Sequence, residues 1–406
     1  MACSTDLVVL GGGCAGLSLA VALAKLDRPG SRTPKVMVLE KRTGYVNDRT
    51  WCFFMDPTAP VQHRVQQQWQ TMRVTTQQHS VTFDCGATPY LMLPSGLFYE
   101  DAQNVISQSD RTVLHTGTTV TSEPEKRGDL WSIGTSAGIV EARYVVDTRP
   151  VCRPTRGGAV MWQSFYGQEV ECEEGVFNAA CGELMDFSAA QACGAVVAFP
   201  DAVCFVYLLA SSGTRALIEF TVFGPDPQGP DAFRQVQARA VAQRVGNAAF
   251  KVLHTEHGVL PMGASPMPPG RDTSYVRAGL TAGGARPSTG YAFARIQRWA
   301  TACADALASG QAPIGHAPDG WAQHAMDTLF LNVVRAHPQL APDLFMALFE
   351  GVDTKRMIRF LSDRGTMLDY AAVVAALPPW PFLRQLTQPL AKKFQRSAAA
   401  SKNGST

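Results

Sequence analysis

The sequence predicts an α/β fold in which a nucleotide-binding domain with a parallel sheet is interleaved with an antiparallel-sheet substrate domain and followed by a helical C-terminal region. Three patterns indicate this arrangement: a glycine-rich turn between a β-type run and a helix-forming run, a hairpin near the middle, and helical apolar spacing beyond Pro318. The 406 residues exceed one typical domain, so two domains are expected.

The N-terminal segment forms the first predicted unit. Leu7 to Leu10 is a short β-type run, Leu17 to Leu26 is rich in Ala and Leu, and Val36 to Leu39 is typical of a second buried strand. Together they make one βαβ unit of about 35 residues, the size expected at the start of a nucleotide-binding domain.

The glycine turn Gly11-Gly-Gly13-Cys-Ala-Gly16 satisfies G-x-G-x-x-G. Gly11 allows the tight turn, Gly13 admits a pyrophosphate, and Gly16 permits close helix packing, while N–H groups at the helix start face the phosphate charge. Glu40 ends the next strand, where a carboxylate is expected to accept hydrogen bonds from ribose hydroxyls. The motif predicts a Rossmann-type dinucleotide site without separating FAD from NAD.

The middle of the chain changes to short β-branched and polar runs, such as Met72 to Thr76 and Val81 to Phe83, and Tyr144 to Asp147 is another strand ending in an acid. The runs Phe205 to Leu209 and Ala216 to Phe223 flank a Ser-Ser-Gly-Thr turn and predict an antiparallel hairpin. Beyond Pro318 the chain is expected to be helical, from the spacing of Leu329, Val333, Leu344, Leu348, Met357 and Phe360.

Composition argues against several kinds of site. The ten cysteines include no C-x-x-C pair, so zinc and dithiol chemistry are not expected. His254 and His257 flank Glu256 in an H-x-x-H, but packing or surface roles are favoured over a metal. Nucleic acid is not expected as a partner, because the net charge is only +2 and most basic residues are balanced by acids.

The N-terminal and C-terminal segments predict a cytoplasmic protein that contacts a membrane surface. Met1 to Asp6 is too short for a signal peptide, and no stretch approaches the roughly 20 apolar residues of a transmembrane helix. The segment Leu377-Pro-Pro-Trp-Pro-Phe-Leu383 and the basic residues after Asp369 favour a peripheral anionic lipid surface; these are Arg384, Lys392, Lys393, Arg396 and Lys402. The alternatives are a proline-rich packing segment and a solvated tail.

Further motifs give the chain a family resemblance. Asn47-Asp-Arg-Thr-Trp-Cys-Phe53 follows the Glu40 strand, and Ala282-Gly-Gly-Ala-Arg-Pro-Ser-Thr-Gly-Tyr291 precedes the helical run Ala292 to Ala300. Together they resemble the lycopene cyclase family, carotenoid enzymes with an FAD fold like that of p-hydroxybenzoate hydroxylase. The resemblance covers most of the chain, through Trp162-Gln-Ser-Phe165, Leu184-Met-Asp-Phe187, the hairpin and Gly258-Val-Leu-Pro-Met262.

The resemblance implies FAD as the cofactor. The turn Pro287 to Gly290 is expected to deliver a second helix N-terminus toward the flavin, although Ser288 and Thr289 taken alone favour a plain helix-capping turn. The expected FAD-binding residues are Gly11, Gly13, Gly16, Glu40, Arg49, Gly283, Gly284, Pro287, Thr289 and Gly290. The resemblance further implies that the flavin works reduced, with NADPH as the reductant, and stabilises a nearby cation electrostatically.

Glu219 is the expected proton donor. It lies mid-strand with Leu217, Thr221 and Phe223 on its own face, and such surroundings raise the pKa of a carboxyl. The resemblance assigns this position the acid that protonates the alkene. Plant members carry two adjacent acids here, whereas Phe220 follows Glu219, so the base is left open. A solvent-facing strand glutamate is the alternative.

Other residues are candidates for supporting roles. Asp186 is a second possible proton carrier, with helix capping or ion pairing as the alternative. Aromatic faces stabilise carbocations, and the candidates, each of which is otherwise typical of core, are Trp51, Phe53, Phe205 and Tyr207.

The resemblance therefore implies a lycopene β-cyclase-type isomerase that closes linear ψ-end groups of a hydrophobic polyene into β-ionone rings without net redox change. A flavin monooxygenase and a non-enzymatic flavin or carotenoid carrier are the alternatives.

The expected domain organisation follows the order of these motifs along the chain. The expected segments are 1–60, FAD-binding βαβ and loop; 61–140, substrate-domain strands; 141–165, return to the FAD domain; 166–260, substrate-domain sheet; 261–310, second FAD segment; 311–390, C-terminal helices; and 391–406, a flexible basic tail.

Overall fold

The computed structural model of the chain describes residues 3–28, 30, 32–54, 65–150, 160–263 and 272–386. These residues divide into two compact units, and the chain passes between them several times. The first unit contains 1–68, 88–158 and 264–318, and the second contains 69–87, 159–263 and 319–406.

The strands in chain order are β1 (Cys3–Leu10), β2 (Val36–Leu39), β3 (Thr50–Phe54), β4 (Gln67–Trp69), β5 (Thr71–Thr75), β6 (Ser80–Asp84), β7 (Tyr90–Pro94), β8 (Thr112–His115), β9 (Glu125–Arg127), β10 (Leu130–Thr135), β11 (Gly138–Asp147), β12 (Met161–Cys172), β13 (Cys181–Asp186), β14 (Val203–Ala210), β15 (Arg215–Gly224), β16 (Phe250–Met262) and β17 (Tyr275–Arg277). The α-helices are α1 (Cys14–Leu26), α2 (Ser95–Ser107), α3 (Phe187–Ala192), α4 (Ala195–Ala198), α5 (Pro230–Val245), α6 (Phe293–Ala308), α7 (Trp321–Ala336), α8 (Ala341–Gly351), α9 (Thr354–Leu361) and α10 (Met367–Ala376).

The first unit is built on a sheet whose central strands β8, β2, β1 and β11 run parallel, with β10 and β9 added antiparallel at one side and β17 parallel to the end of β11. The apolar run Leu7 to Leu10 is fully buried because both faces of β1 are covered. Helices α1, α2 and α6 contribute to the core on one face, which includes Leu17, Phe98 and Trp299.

The second unit is built on a seven-stranded sheet with the order β16-β12-β15-β14-β13-β5-β6, antiparallel except where β13 pairs with β5. Alternation along β15 places Ile218, Phe220 and Val222 on one face, in a core cluster with Phe233 and Val236 of α5. The odd-numbered residues of β15, including Glu219, lie on the other face.

The C-terminal helices follow within the second unit. Leu348, Val352, Met357, Phe360 and Val373 form a small core between α8, α9 and α10, and Thr366 and Asp369 make a capping box at the start of α10. Residues 379–386 are also helical. Over the described ranges, no helix is both long and apolar enough to cross a bilayer.

The predicted fold class is confirmed: a Rossmann-type parallel sheet is interleaved with an antiparallel sheet, and helices follow. The division between units differs from the expected bounds, since only 69–87 of the region 61–140 belongs to the second unit. Strand β7 pairs with β3, β8 with β2, and β10 with β11, which keeps 88–158 in the first unit. Short polar strands do not reveal their partners locally. The expected tail 391–406 lies outside the described residues.

Candidate functional site

The glycine turn of the first unit has a different constraint at each motif glycine. Gly11 has φ +97°, which favours glycine, and a Cβ on Gly16 would lie 1.9 Å from the carbonyl oxygen of Gly11. Gly13 is the N-cap of α1, and a Cβ added there would have no described atom within 4 Å. The turn therefore closes tightly at Gly11 and Gly16 and leaves open space at Gly13.

Glu40 lies at the end of β2, buried beside this turn. Its carboxylate accepts hydrogen bonds from the Gly12 N–H (2.7 Å) and from the N–H and Nε of Arg42 (2.9 and 3.0 Å). Burial opposes ionisation, but these bonds outweigh it and hold the pKa of Glu40 below its ordinary value. The carboxylate is therefore ionised at neutral pH, and its role toward a ribose stays a prediction.

Arg42 and Tyr45 support the same turn, and sequence reasoning missed both. Arg42 Nη2 and the Tyr45 hydroxyl donate to the Gly12 carbonyl oxygen at 3.0 and 2.9 Å, and the guanidinium lies 4.7 Å from the Tyr45 ring centroid. They lie in an irregular loop where spacing carries no periodic signal. The only local hint was the position of Arg42 two residues after Glu40.

Arg49 follows in the same loop, with its guanidinium paired to Asp48 at 3.1 and 3.2 Å. Burial raises the pKa of Cys14, in the first turn of α1, to about 12, and the Ser18 hydrogen bond and the Arg49 charge oppose that rise. Arg49 therefore acts electrostatically on the start of α1, where an anion would be favoured.

The second glycine-rich segment, from Gly279 to Gly290, packs against α1, which follows the first glycine turn. A Cβ on Gly279 would lie 3.3 Å from Ala15 Cβ of α1, and Gln297 Nε2 of α6 donates to Ser18 Oγ of α1 at 2.7 Å. Gly279, Gly283 and Gly290 all have positive φ. The structure thus brings together the two segments that the sequence assigned to one cofactor.

The turn Pro287 to Gly290 precedes α6 but does not cap it. The N-cap is Ala292, without a side-chain hydrogen bond, and Thr289 Oγ1 accepts instead from the Tyr291 N–H at 3.3 Å. The Gly284 position is tight, because a Cβ there would lie 2.6 Å from the Gly279 carbonyl oxygen. The segment is shaped by backbone packing rather than by helix capping.

His316 fixes this segment and was also missed. Its Nε2 accepts the Gly279 N–H at 3.0 Å, and Trp299 packs on the ring at 4.9 Å. Burial, with the nearby Arg295 charge, lowers the pKa of His316 to about 3. The imidazole is therefore neutral, as an acceptor nitrogen requires.

Replacing His316 with Leu is expected to lower the free energy of unfolding by about 1–3 kcal/mol, because the Gly279 N–H loses its acceptor. The unfolded chain binds a proton at His316 below its ordinary pKa of 6.5, whereas the folded chain does so only near 3. The parent therefore loses stability as pH falls below about 6.5, and the variant should lose part of that dependence. Urea unfolding at about pH 5 and pH 7.5 measures this. An equal loss in the exposed-site control His324→Leu would contradict it.

In the second unit, Glu219 lies at the centre of β15. Its Oε1 accepts the Thr221 hydroxyl at 2.6 Å, and its side chain is half-buried beside Leu217, Thr221 and Phe223. Burial, followed by the charge of Glu256, raises the pKa of Glu219 to about 8, against the opposing Thr221 bond. The carboxyl is therefore mainly protonated at neutral pH.

Two of the four aromatic candidates share the face of Glu219. Tyr207 is its cross-strand partner on β14, and Phe205 is opposite Thr221, packed edge-on against Phe223 at 5.2 Å. Trp51 and Phe53 instead pack on Phe293 at 5.3 and 4.9 Å, in the core of the first unit.

Glu256 of β16 lies on the same sheet face as Glu219, and sequence reasoning assigned it no role beyond its place in the H-x-x-H. Gly167 of β12 is the register partner of both Glu219 and Glu256. A Cβ on Gly167 would lie 3.5 Å from Glu219 Cβ and 3.2 Å from Glu256 Cγ, so the two side chains approach over bare backbone. This pairing depends on strand register, which the sequence did not reveal.

Asp186 is placed differently. It accepts the Ala189 N–H at 2.8 Å as the N-cap of α3 and forms an ion pair with Arg244 of α5. Its register partner is Val206, which lies on the α5 face of the sheet, opposite Glu219. The structure does not bring Asp186 to Glu219, and its role as a proton carrier stays a prediction.

These features define a nucleotide-binding fold of the Rossmann type, joined to an antiparallel sheet with a protonated glutamate on one face. Within the ranges that the structure describes, no cluster of three or more His, Cys, Asp or Glu side chains is arranged to hold a metal. The chain matches the profile of the lycopene cyclase protein family over residues 6–387. It therefore belongs to the lycopene cyclase family.

Solved structures share the fold at low sequence identity. A geranylgeranyl bacteriochlorophyll reductase-like protein from Thermoplasma acidophilum is similar with a TM-score of 0.60 and 11% identity, over 95% of this chain and 99% of that one. The p-nitrophenol 4-monooxygenase PnpA from Pseudomonas putida DLL-E4 gives 0.54 and 16%, over 95% and 93%. The rebeccamycin biosynthetic enzyme RebC with reduced flavin gives 0.53 and 18%, over 94% and 76%. A search of curated protein sequences gives no significant match.

Proposed function

We propose that the protein is an FAD-dependent lycopene cyclase that converts linear ψ-end groups into β-ionone rings by proton-initiated cyclisation. The observation that carries this proposal is Glu219, a carboxyl with a pKa of about 8 that lies beside Leu217 and Phe223 in a lycopene cyclase family member. Protonating an isolated alkene requires an acid that keeps its proton at neutral pH in a site poor in water.

The first unit fits the proposed cofactor. The open N-cap at Gly13 gives the backbone space for a pyrophosphate, the start of α1 favours its charge, and Arg49 adds a cation. The ionised Glu40 suits ribose hydroxyls, and Gly283, Gly284, Pro287, Thr289 and Gly290 belong to the segment beside α1. Similarity to RebC with reduced flavin supports a flavin over a nicotinamide. FAD, kept reduced by NADPH, would supply negative charge that stabilises a cation.

Side chains of the second unit donate the proton and stabilise the resulting cation. Thr221 donates to Oε1 of Glu219, which leaves the acidic proton on Oε2. Oε2 delivers that proton to the terminal alkene of the ψ-end, the neighbouring double bond closes the ring, and a ring proton is then lost to restore a double bond. No electron is gained or lost. The rings of Tyr207 and Phe205 on the same face stabilise the cation and exclude water.

Expression in lycopene-accumulating cells, followed by pigment chromatography, tests the function. Cyclic carotenes should replace lycopene, and unchanged lycopene beside folded, flavin-loaded protein would reject the proposal. A monooxygenase is the second candidate because the fold is shared with PnpA. Purified enzyme separates the two: a cyclase forms many products per NADPH consumed, whereas a monooxygenase consumes NADPH in proportion to hydroxylated product.

We also propose peripheral contact with the cytoplasmic face of a membrane, from which a polyene would enter. Large apolar side chains are exposed in the C-terminal helices: Trp321, Met367, Leu368, Val374, Trp380, Leu383 and Leu386. Trp380 is 71% exposed and Leu383 is 53% exposed, with Arg384 adjacent. Such residues suit the headgroup boundary of anionic lipid.

The double variant Trp380→Ser/Leu383→Ser is expected to weaken co-sedimentation with anionic liposomes about tenfold or more, because each apolar side chain contributes about 1.5–3 kcal/mol when buried. Val196→Ser/Val197→Ser is the matched control, since these residues are 63% and 89% exposed on α4. Equal weakening in both variants, or none in the first, would reject the C-terminal helices as the contact.

A further inference from the structure

Glu219 and Glu256 meet on one face of the second sheet, and we propose that they form a carboxyl pair that shares a single proton, in which Glu256 is the positioning residue that keeps Glu219 protonated. The inference rests on the proposed function for its catalytic meaning. The pairing itself rests on the register of three strands, which brings both side chains over Gly167.

Glycine at position 167 makes the approach possible. Glu219 and Glu256 are on strands that flank β12, and a side chain on the strand between them would normally separate them. The position is already tight, since a Cβ there would lie 3.2 Å from Glu256 Cγ and 3.3 Å from Leu217 Cδ1. The two carboxyls therefore interact across the sheet in a largely buried setting, where Glu256 is 4% exposed.

The sheet geometry also explains why the second acid does not follow Glu219 in sequence. Position 220 lies on the opposite face, where Phe220 is fully buried against Phe199 and Phe233. A carboxylate at that position would enter the apolar core under α5 without reaching Glu219. The strand neighbour across Gly167 supplies the second carboxyl instead.

The charged and titratable groups around the pair come from four strands. Tyr207 of β14 lies opposite Glu219, and His254 Nε2 of β16 is 3.6 Å from Glu256 Oε2. Glu169 of β12, on the same face, is paired with Arg215 at 2.8 Å. Ionising both carboxyls would place two like charges on one face in a largely buried setting, so one of the two keeps a proton. Burial, which raises the pKa of Glu219 against the opposing Thr221 bond, places that proton on Glu219.

The pair gives the reaction a closed proton balance. Glu219 Oε2–H breaks as the alkene C–H forms, and the pair then carries two negative charges. Their repulsion favours recapture of one proton when a ring C–H breaks and the new double bond forms. The end state has the same single proton as the start, and no other reactant is needed.

The pH dependence of cyclisation tests the inference. Activity of the parent should fall as pH rises through about 8, since Glu219 must be protonated. Glu256→Gln removes the negative neighbour, so this fall should move to lower pH by about one unit, while Glu256→Asp keeps the charge and should restore the parent profile. His254→Gln controls for the imidazole, and its profile should match the parent. An unshifted profile in Glu256→Gln, or one that follows His254 instead, overturns the inference.

Infrared difference spectroscopy on the protein with ¹³C-labelled glutamate tests the pair without turnover. The parent should show one protonated carboxyl band that titrates near pH 8, and Glu219→Gln should remove it. If Glu256→Gln does not fold, these two proteins can still overturn the inference, either through the absence of such a band in the parent or through its survival in Glu219→Gln. Loss of cyclisation in Glu219→Gln with an unshifted Glu256→Gln profile rejects the pair but not the function. Full activity of Glu219→Gln rejects the proposed acid itself.

Discussion

Glu219→Gln is expected to lower cyclised product per flavin by about 10²- to 10⁴-fold, while flavin content and folding survive. The amide keeps the shape of the side chain and still accepts the Thr221 hydroxyl, but it has no acidic proton to give. The measurement uses reduced enzyme and lycopene-loaded liposomes, with product counted by chromatography.

The stability of Glu219→Gln tests the raised pKa of Glu219 independently of activity. The folded-state pKa of Glu219 lies at about 8, above its ordinary 4.5, so ionisation costs the parent stability as pH rises through that interval. The amide is free of this cost, and the variant should unfold at the same or a higher temperature than the parent near pH 8.

Asp186→Asn is the comparison variant. We expect it to lose stability through the Arg244 ion pair but to keep its product per flavin, because Asp186 lies on the other face of the sheet. Activity of Glu219→Gln within about threefold of the parent, together with a collapse in Asp186→Asn, would transfer the acid role to Asp186.

Gly13→Val is expected to abolish flavin binding while the chain still folds. The branched side chain would fill the open space at the N-cap of α1 and block close approach of a pyrophosphate. Flavin absorbance per protein after purification measures the loss, and circular dichroism measures the fold.

Gly229→Val is a matched control, because Gly229 is also a helix N-cap with extended backbone and no described atom within 4 Å of a Cβ. It has φ −81°, against −80° at Gly13. Stoichiometric flavin in Gly13→Val would refute the assignment of this turn, and flavin loss in both variants would indicate a general effect of valine at a cap.

The elements that local pattern determines were predicted well. The βαβ unit, the hairpin of β14 and β15 and the C-terminal helices lie where alternation, glycine punctuation and helical spacing placed them. The prediction that Ile218, Phe220 and Val222 share one face of β15 is also confirmed, since all three belong to one core cluster.

Features that depend on long-range register could not be predicted. Glu256 reaches Glu219 only because β16 and β15 both pair with β12 at Gly167, and His316 reaches Gly279 from a loop without periodicity. Arg42 and Tyr45 likewise act on Gly12 from an irregular segment. Such contacts are set by tertiary packing, which no local spacing encodes.

The residue at position 167 determines how closely the side chains at positions 219 and 256, which are distant in sequence, can approach. Any larger residue there would push the Glu219 and Glu256 side chains apart, so in relatives of this chain a glycine at this register and an acid on the outer strand are expected to be gained or lost together. A signature drawn from the β15 run alone would overlook that dependence. We therefore expect covariation among three strands, rather than identity along one, to mark this arrangement in relatives.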